Sequence, residues 1–167
     1  GIKGFNIQTV SSDPPAPFTG EVWYNSTSAT VKYLGIQAAA WASGGNLGTA
    51  RYKLAGAGTQ TAGLAFGGST PFSNATEEYN GSAWTGGGNL TTARSGLAGN
   101  GTQTAGLAFG GVSGPGAPGF STATEEYGGS SWTNGGNMGT ARNDLAGCGT
   151  QTAGLAFGGF LAPPVPT

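Results

Sequence analysis

The chain has 167 residues and a mass of 16.3 kDa, with 8% charged residues, 35 glycines, one cysteine and no histidine. Six Lys and Arg against seven Asp and Glu give no basic stripe for nucleic acid. Without histidine the chain cannot build a Cys/His metal site or a Ser/His/Asp relay. We therefore expect no catalytic site, cofactor, metal or nucleic-acid partner. Since no apolar run is long enough to span a bilayer, we also expect no membrane insertion.

The N-terminal segment, residues 1–19, is predicted to be an extended arm. It contains the run Asp13-Pro14-Pro15-Ala16-Pro17, and prolines oppose helix and favour polyproline II. Phe18, Trp23 and Tyr24 fall outside the regular pattern that follows and are candidate contacts for a partner protein. The Pro-rich tail, residues 161–167, is predicted to be extended as well.

An internal repeat occupies residues 20–160. The segment Gly58–Gly68 recurs letter for letter at Gly101–Gly111 and Gly149–Gly159. The same offsets align Trp41 with Trp84 and Trp132, and Arg51 with Arg94 and Arg142. Self-similarity at this period indicates a repeat architecture. We predict repeats at about 20–57, which is degenerate, 61–100 and 104–148, followed by a closing strand at 153–159.

Each repeat is predicted to contain four short strands. In the second repeat they cover residues 61–66, 75–79, 82–85 and 95–99, and Asn80-Gly81 supplies the positive φ of a tight hairpin turn. Turn residues recur every eight to twelve positions and no helical period is sustained, which predicts an all-β chain. About four strands in 40 to 50 residues is typical of a propeller blade.

The side chains that recur in each repeat have a structural interpretation. The glycine pairs are expected to supply turns and close approaches. Trp41, Trp84 and Trp132 are expected to fill space between neighbouring sheets rather than to stack on sugars. Adjacent carboxylates such as Glu77-Glu78 and Glu125-Glu126 point to opposite faces of a strand, which argues against a glycosidase pair. One Glu of each pair is predicted to meet the Arg of its own repeat, Arg94 or Arg142.

The repeat resembles the kelch repeat, in which a hydrophobic run ending in a glycine pair is followed by Tyr, Trp and Arg. The gap between Tyr and Trp is shorter than the kelch pattern usually has. The amino-acid sequence of the repeat is similar to repeats in structural and fibre proteins of bacteriophages, particularly marine and cyanobacterial ones. The segment Gly20–Thr27 also resembles a segment of phage tail-fibre proteins. The residues that carry the kelch resemblance are Gly67, Gly68, Tyr79, Trp84, Arg94, Gly110, Gly111, Tyr127, Trp132, Arg142, Gly158 and Gly159.

This resemblance implies a kelch-like β-propeller-type array and a non-enzymatic structural protein of a phage virion, in the tail fibre or on the virion surface. About three four-stranded repeats are too few for a closed ring, so we expect completion by homo-oligomerisation, with other virion proteins as further partners. A trimeric fibre module without a propeller is the competing architecture. The alternative function is a carbohydrate-binding propeller for host recognition, using the variable loops at 69–74 and 112–122.

Overall fold

The computed structural model describes residues 7–15, 21–34, 41–69, 72–114 and 119–161. The chain divides into two compact units, Gly1–Ala42 and Ser43–Thr167. All regular elements in the described ranges are β-strands, which confirms the all-β prediction. No helix in those ranges has the length and apolarity needed to cross a membrane.

The first unit contains a three-stranded sheet made of β1 (Gln8–Val10), β2 (Val22–Asn25) and β3 (Thr30–Tyr33). Strand β1 runs parallel to β2, and β2 runs antiparallel to β3. Residues 8–10, predicted as part of an extended arm, are therefore a strand of this sheet. Residues 22–33 of the degenerate first repeat join this sheet and do not form a four-stranded sheet of their own.

The remaining strands lie in the second unit, and each has two to four residues. They are β4 (Ala55–Gly58), β5 (Gly63–Phe66), β6 (Thr76–Tyr79), β7 (Trp84–Gly86), β8 (Arg94–Ser95), β9 (Ala98–Gly101), β10 (Gly106–Phe109), β11 (Val112–Ser113), β12 (Thr124–Tyr127), β13 (Trp132–Asn134), β14 (Arg142–Asn143), β15 (Ala146–Gly149), β16 (Gly154–Phe157) and β17 (Phe160–Leu161).

Three antiparallel sheets organise the second unit. Sheet I has the order β4-β5-β6-β7, sheet II has the order β9-β10-β12-β13, and sheet III pairs β15 with β16. Two short ribbons, β8–β11 and β14–β17, accompany them. The register repeats, since Leu64 faces Glu78 in sheet I and Leu107 faces Glu126 in sheet II. Each four-stranded sheet is thus a copy of the same local fold.

The sheets begin at a different strand from the one that the sequence predicts. The prediction placed residues 95–99 at the end of the second repeat, but Ala98–Gly101 pairs with Gly106–Phe109 and opens sheet II. The reason is a tight hairpin between these strands, in which the Thr102 N–H donates to the Ala105 carbonyl at 3.0 Å. The Thr102 side-chain oxygen also accepts from the Ala105 N–H at 3.0 Å. This local turn joins the two strands more directly than any pairing with the preceding sheet.

The main core lies between sheets I and II. Leu64 and Phe66 of sheet I pack with Tyr127 and Trp132 of sheet II, and the Phe66 and Trp132 ring centroids are 4.8 Å apart with an edge-to-face angle of 62°. A second, smaller cluster between sheets II and III contains Phe109 and Leu145 and their neighbours. The core is therefore a series of junctions between consecutive sheets.

Candidate functional site

The most completely buried charged group in the described residues is an arginine at the junction of sheets I and II. Arg94 lies on β8, and its Nη2 donates to Glu125 Oε1 of sheet II at 2.9 Å. Its Nη1 donates to the carbonyls of Gly110 and Ala123, at 3.1 and 2.7 Å. The side chains of Arg94 and Glu125 are 0% and 1% exposed. The Arg94 guanidinium thus ties the adjoining ends of β10 and β12 in sheet II to strand β8, which precedes that sheet in the chain.

The same junction forms one repeat earlier. Arg51 Nη2 donates to Glu77 Oε1 at 2.7 Å, and Arg51 Nη1 donates to the carbonyls of Gly67 and Ala75 at 2.8 Å each. The second carboxylate oxygen of Glu77 accepts from the Gly48 backbone N–H at 2.6 Å. In sheet II the corresponding oxygen of Glu125 accepts from the Thr91 N–H, also at 2.6 Å. Each carboxylate is therefore held by one guanidinium and one backbone donor.

The predicted pairing of each Glu with the Arg of its own repeat is wrong. Arg94 follows sheet I in the chain, yet it binds Glu125 of sheet II, and Arg51 binds Glu77 in the same forward sense. The arginine precedes its sheet because it lies just before the hairpin that opens that sheet. The ion pairs therefore link consecutive repeats, whereas the prediction placed them within one repeat.

Burial changes the titration of this junction. Removal of the guanidinium from water lowers the pKa of Arg94, and the neighbouring Glu125 carboxylate opposes that change. Because the paired carboxylate offsets part of the cost of burial, neither group is tolerable here without the other.

The second glutamate of the first pair lies on the opposite face of its strand and serves a different contact. Tyr127 of sheet II donates its hydroxyl hydrogen to Glu78 Oε1 of sheet I. Burial, and then this hydrogen bond, raise the pKa of Tyr127 to about 12. Glu77 and Glu78 therefore hold two different neighbours rather than one cleft, and their arrangement does not fit a pair of carboxyls flanking a scissile bond.

The three repeated tryptophans have different environments. Trp132 is buried between sheets I and II, where its Nε1 donates to Thr76 Oγ1 at 2.9 Å. Trp84 is partly buried against Tyr79, and its Nε1 donates to the Gly45 carbonyl at 3.0 Å. Trp41 is fully exposed, so the prediction that it fills space between sheets is wrong for this structure. Trp132 therefore fills space between sheets as expected, because sheet I precedes its own sheet and packs against it.

The glycine pairs form turns with positive φ angles, a backbone conformation that only glycine adopts readily. Gly67 and Gly68 have φ values of 69° and 110°, in the left-handed region. The later pairs follow the same geometry, as the positive φ values of Gly110, Gly111, Gly158 and Gly159 show. Each pair ends a core strand and exposes a carbonyl to the arginine of the junction.

A glutamine that sequence reasoning missed also joins consecutive sheets. Gln103 Nε2 donates to the carbonyls of Gly63 and Tyr79 in sheet I, at 3.0 and 2.7 Å. Gln151 makes the equivalent bonds to Gly106 and Tyr127 of sheet II, at 3.0 and 2.8 Å. The signal in the sequence is the invariance of Gly-Thr-Gln-Thr-Ala-Gly, which exceeds what a turn alone requires.

At the end of sheet III the junction is only partly formed. Arg142 Nη1 donates to the Gly158 carbonyl at 2.7 Å, as Arg94 does to Gly110. Arg142 is not paired with a carboxylate among the residues that the structure describes. A carboxylate and a backbone carbonyl are therefore the two kinds of acceptor to which this arginine could still donate.

The first unit holds its own polar cluster. Asp13 accepts from Lys32 Nζ at 2.6 Å, Asn25 Nδ2 at 2.8 Å and Trp23 Nε1 at 3.1 Å, and these bonds lower the pKa of Asp13 to about 2. Trp23 is buried within this unit and Tyr24 is half-buried, so the proposed role of Trp23 as a partner contact is not supported. Phe18 lies outside the described residues.

The described residues contain no group of three or more His, Cys, Asp or Glu side chains that could hold a metal ion. Cys148 is exposed and unbonded to sulfur. No protein-family model and no curated protein sequence matches the chain. The groups that join consecutive repeats are therefore the two arginine–glutamate pairs, the Tyr127–Glu78 hydrogen bond and the glutamine bonds.

Proposed function

We propose that the protein is a non-enzymatic structural component of a bacteriophage virion, placed in the tail fibre or on the virion surface, that assembles with copies of itself and with other virion proteins. The proposal combines the resemblance of the repeat to phage fibre proteins with the arrangement of the second unit. Sheets I and II are four-stranded meanders in the manner of propeller blades, which is the kelch-like architecture that we propose for the array.

The observation that carries this proposal is the buried junction between consecutive sheets. Arg94 and Glu125 are among the most buried side chains of the described chain, and each of their bonds fixes backbone or a partner across repeats. Buried groups that hold strands of different repeats together serve a scaffold well. A catalytic or binding site instead leaves polar groups aimed at a cleft.

The test is to purify the particles made by the genome that encodes this chain through a density gradient and to quantify the protein by mass spectrometry. We expect it in the particle band at a fixed ratio to the major virion proteins, and labelled antibodies should decorate one part of the particle. A protein that is abundant in the lysate but missing from washed particles would contradict the proposal.

A glycan-binding propeller is the second candidate. One observation favours it, namely that Gly114 lies next to Phe72. A Cβ at Gly114 would be 3.2 Å from Phe72 Cβ, so the described ends of the two variable loops at 69–74 and 112–122 are close together. Two adjoining variable loops can form one recognition surface. Binding on a glycan array that is lost when residues 112–122 are replaced would favour this candidate, and no binding to any glycan would remove it.

A further inference from the structure

The outer face of sheet III carries two exposed apolar side chains whose counterparts in sheet I are covered. Leu155 and Phe157 are 59% and 49% exposed. The residues at the same places in sheet I, Leu64 and Phe66, are 2% and 0% exposed. The equivalent leucine and phenylalanine are thus buried in a sheet that is followed by another sheet, and exposed in the last sheet of the described chain.

Two glycines of the following sheet receive each covered pair. A Cβ at Gly106 would lie 2.8 Å from Leu64 Cδ2, and a Cβ at Gly99 would collide with the ring of Phe66. The junction of sheets II and III repeats this packing, with Gly154 against Leu107 and Gly147 against Phe109. Glycine at these places lets the leucine and phenylalanine approach the backbone closely.

Sheet I has the same two glycines, and the described residues place no leucine or phenylalanine of a preceding sheet against them. Gly56 and Gly63 align with Gly99 and Gly106. Among the described residues, the nearest neighbours of a Cβ at Gly63 lie at 3.5 Å and belong to sheet I and its own turn, and a Cβ at Gly56 would meet only the Leu64 carbonyl at 3.2 Å. In the described part of the chain, no leucine or phenylalanine of another sheet accounts for glycine at either position.

We propose that copies of this chain associate head to tail, with Leu155 and Phe157 of one copy packed against Gly56 and Gly63 of the next. The inference rests on the proposed structural function and names the surfaces through which copies join. A second copy is the fitting occupant because the two surfaces are the separated halves of a junction that the chain already forms twice. Since different faces meet, the contact is heterologous and either closes into a ring or continues as a filament.

An open groove next to sheet III fits the same arrangement. It has a volume of about 250 Å³ and is lined by Phe109, Thr124, Glu126 and Met138, among others. Their counterparts one repeat earlier, namely Phe66, Thr76, Glu78 and Leu90, surround Tyr127 and Trp132. The groove is therefore the place beside sheet III where the described residues supply no counterpart of Tyr127 and Trp132.

Sedimentation velocity of two complementary variants over a range of concentrations tests the inference. Phe157→Ser removes the apolar side chain at one end, and Gly56→Val blocks the glycine surface at the other. Each variant alone should associate at least about tenfold more weakly than the wild type, as expected for a central contact. An equimolar mixture should form pairs and nothing larger, because each partner keeps one intact end. Val31→Ala, which alters a side chain that is 60% exposed in the first unit, should assemble like the wild type.

Thermal unfolding of each variant separates misfolding from lost association. If Gly56→Val does not fold, Gly63→Ala replaces it, since its Cβ makes only ordinary contacts within the chain. A wild-type chain that stays monomeric, variants that assemble like the wild type, or a mixture that stays monomeric would each overturn the inference. The proposed function is tested separately by copurification with particles. A protein that copurifies with particles but whose copies associate through other surfaces would contradict this inference and not the proposed function.

Discussion

At the scale of single residues, the junction of sheets I and II depends on Arg94 and the carboxylate that it binds. A buried guanidinium loses its hydration, which Glu125 and two carbonyls replace among the described residues. The Nε atoms of Arg94 and Arg51 are buried without a hydrogen-bond partner among the described residues, which adds to the cost. The pair is thus a strong requirement for the fold once both members are present, even though its net contribution to stability is modest.

Replacement of Glu125 by glutamine should expose this requirement. Glu125→Gln leaves the Arg94 charge buried without its counter-charge, and we expect the free energy of unfolding to fall by about 3–5 kcal/mol. Urea denaturation measures the change. The matched control is Glu126→Gln, one residue along on the exposed face, which should change stability by no more than about 0.5 kcal/mol. A loss of less than about 1 kcal/mol for Glu125→Gln would show that the junction is not what holds the sheets.

At the scale of elements, the small-residue strands β4, β9 and β15 determine how closely the sheets approach. Each reads Ala-Gly-x-Gly, and the inner glycine of β9 and of β15 receives the edge of a phenylalanine from the preceding sheet. The inner glycine of β4 has the same sequence context but no such neighbour in the described chain. Identical strands therefore differ in what they tolerate, according to their place in the array.

This difference predicts that one substitution destabilises the chain by unequal amounts at two equivalent places. Gly99→Ala puts a methyl group into the Phe66 ring and should destabilise the chain by about 1–3 kcal/mol, as overpacking does. Gly56→Ala, at low concentration where chains are separate, should cost less than about 1 kcal/mol. Thermal unfolding of the two variants at the same concentration makes the comparison. Equal losses at both positions would mean that the cost comes from the strand itself and not from the neighbouring sheet.

The sequence predicts the elements better than it predicts their partners. The letter-for-letter repeat and the Gly-rich turns indicate short strands and an all-β chain, which the structure confirms. The sequence does not reveal that Ala98–Gly101 opens a sheet. A four-residue strand could pair with the strand before it or after it, and the turn at Thr102 determines which partner it has. The error over Arg94 has the same origin, since alignment shows which residue types recur but not whether a contact lies within a repeat or reaches the next.

Trp41 and Trp23 show a second limit of sequence reasoning. Aligned tryptophans were expected to share one environment, yet Trp41 is exposed while Trp132 is buried, because burial depends on whether a sheet lies next to the indole. Trp23 falls outside the regular pattern of the repeat and is buried all the same, and Asp13, ten residues earlier, accepts its indole hydrogen. Neither environment follows from local pattern, because both depend on what the rest of the chain brings alongside.

At the scale of the whole molecule, the second unit is a row of sheets. A leucine and a phenylalanine of one sheet pack against two glycines of the next, and a glutamine in the first hairpin of the next sheet donates hydrogen bonds back to it. The row presents unfilled glycines on sheet I and uncovered Leu155 and Phe157 on sheet III. Exposed apolar surface of this kind marks an interaction site in a soluble protein. We propose that the packing of leucine and phenylalanine against glycines, which joins sheets within one chain, also joins one chain to another.

Light scattering on a size-exclusion column, over a series of loading concentrations, gives the molar mass of the wild-type chain and so tests whether copies associate. We predict a mass above that of the 16.3 kDa chain, which reaches a fixed multiple if the contacts close into a ring and keeps rising with concentration if they form a filament. A mass of one chain at every concentration would contradict the claim and leave sheets I to III as a row that ends within the molecule.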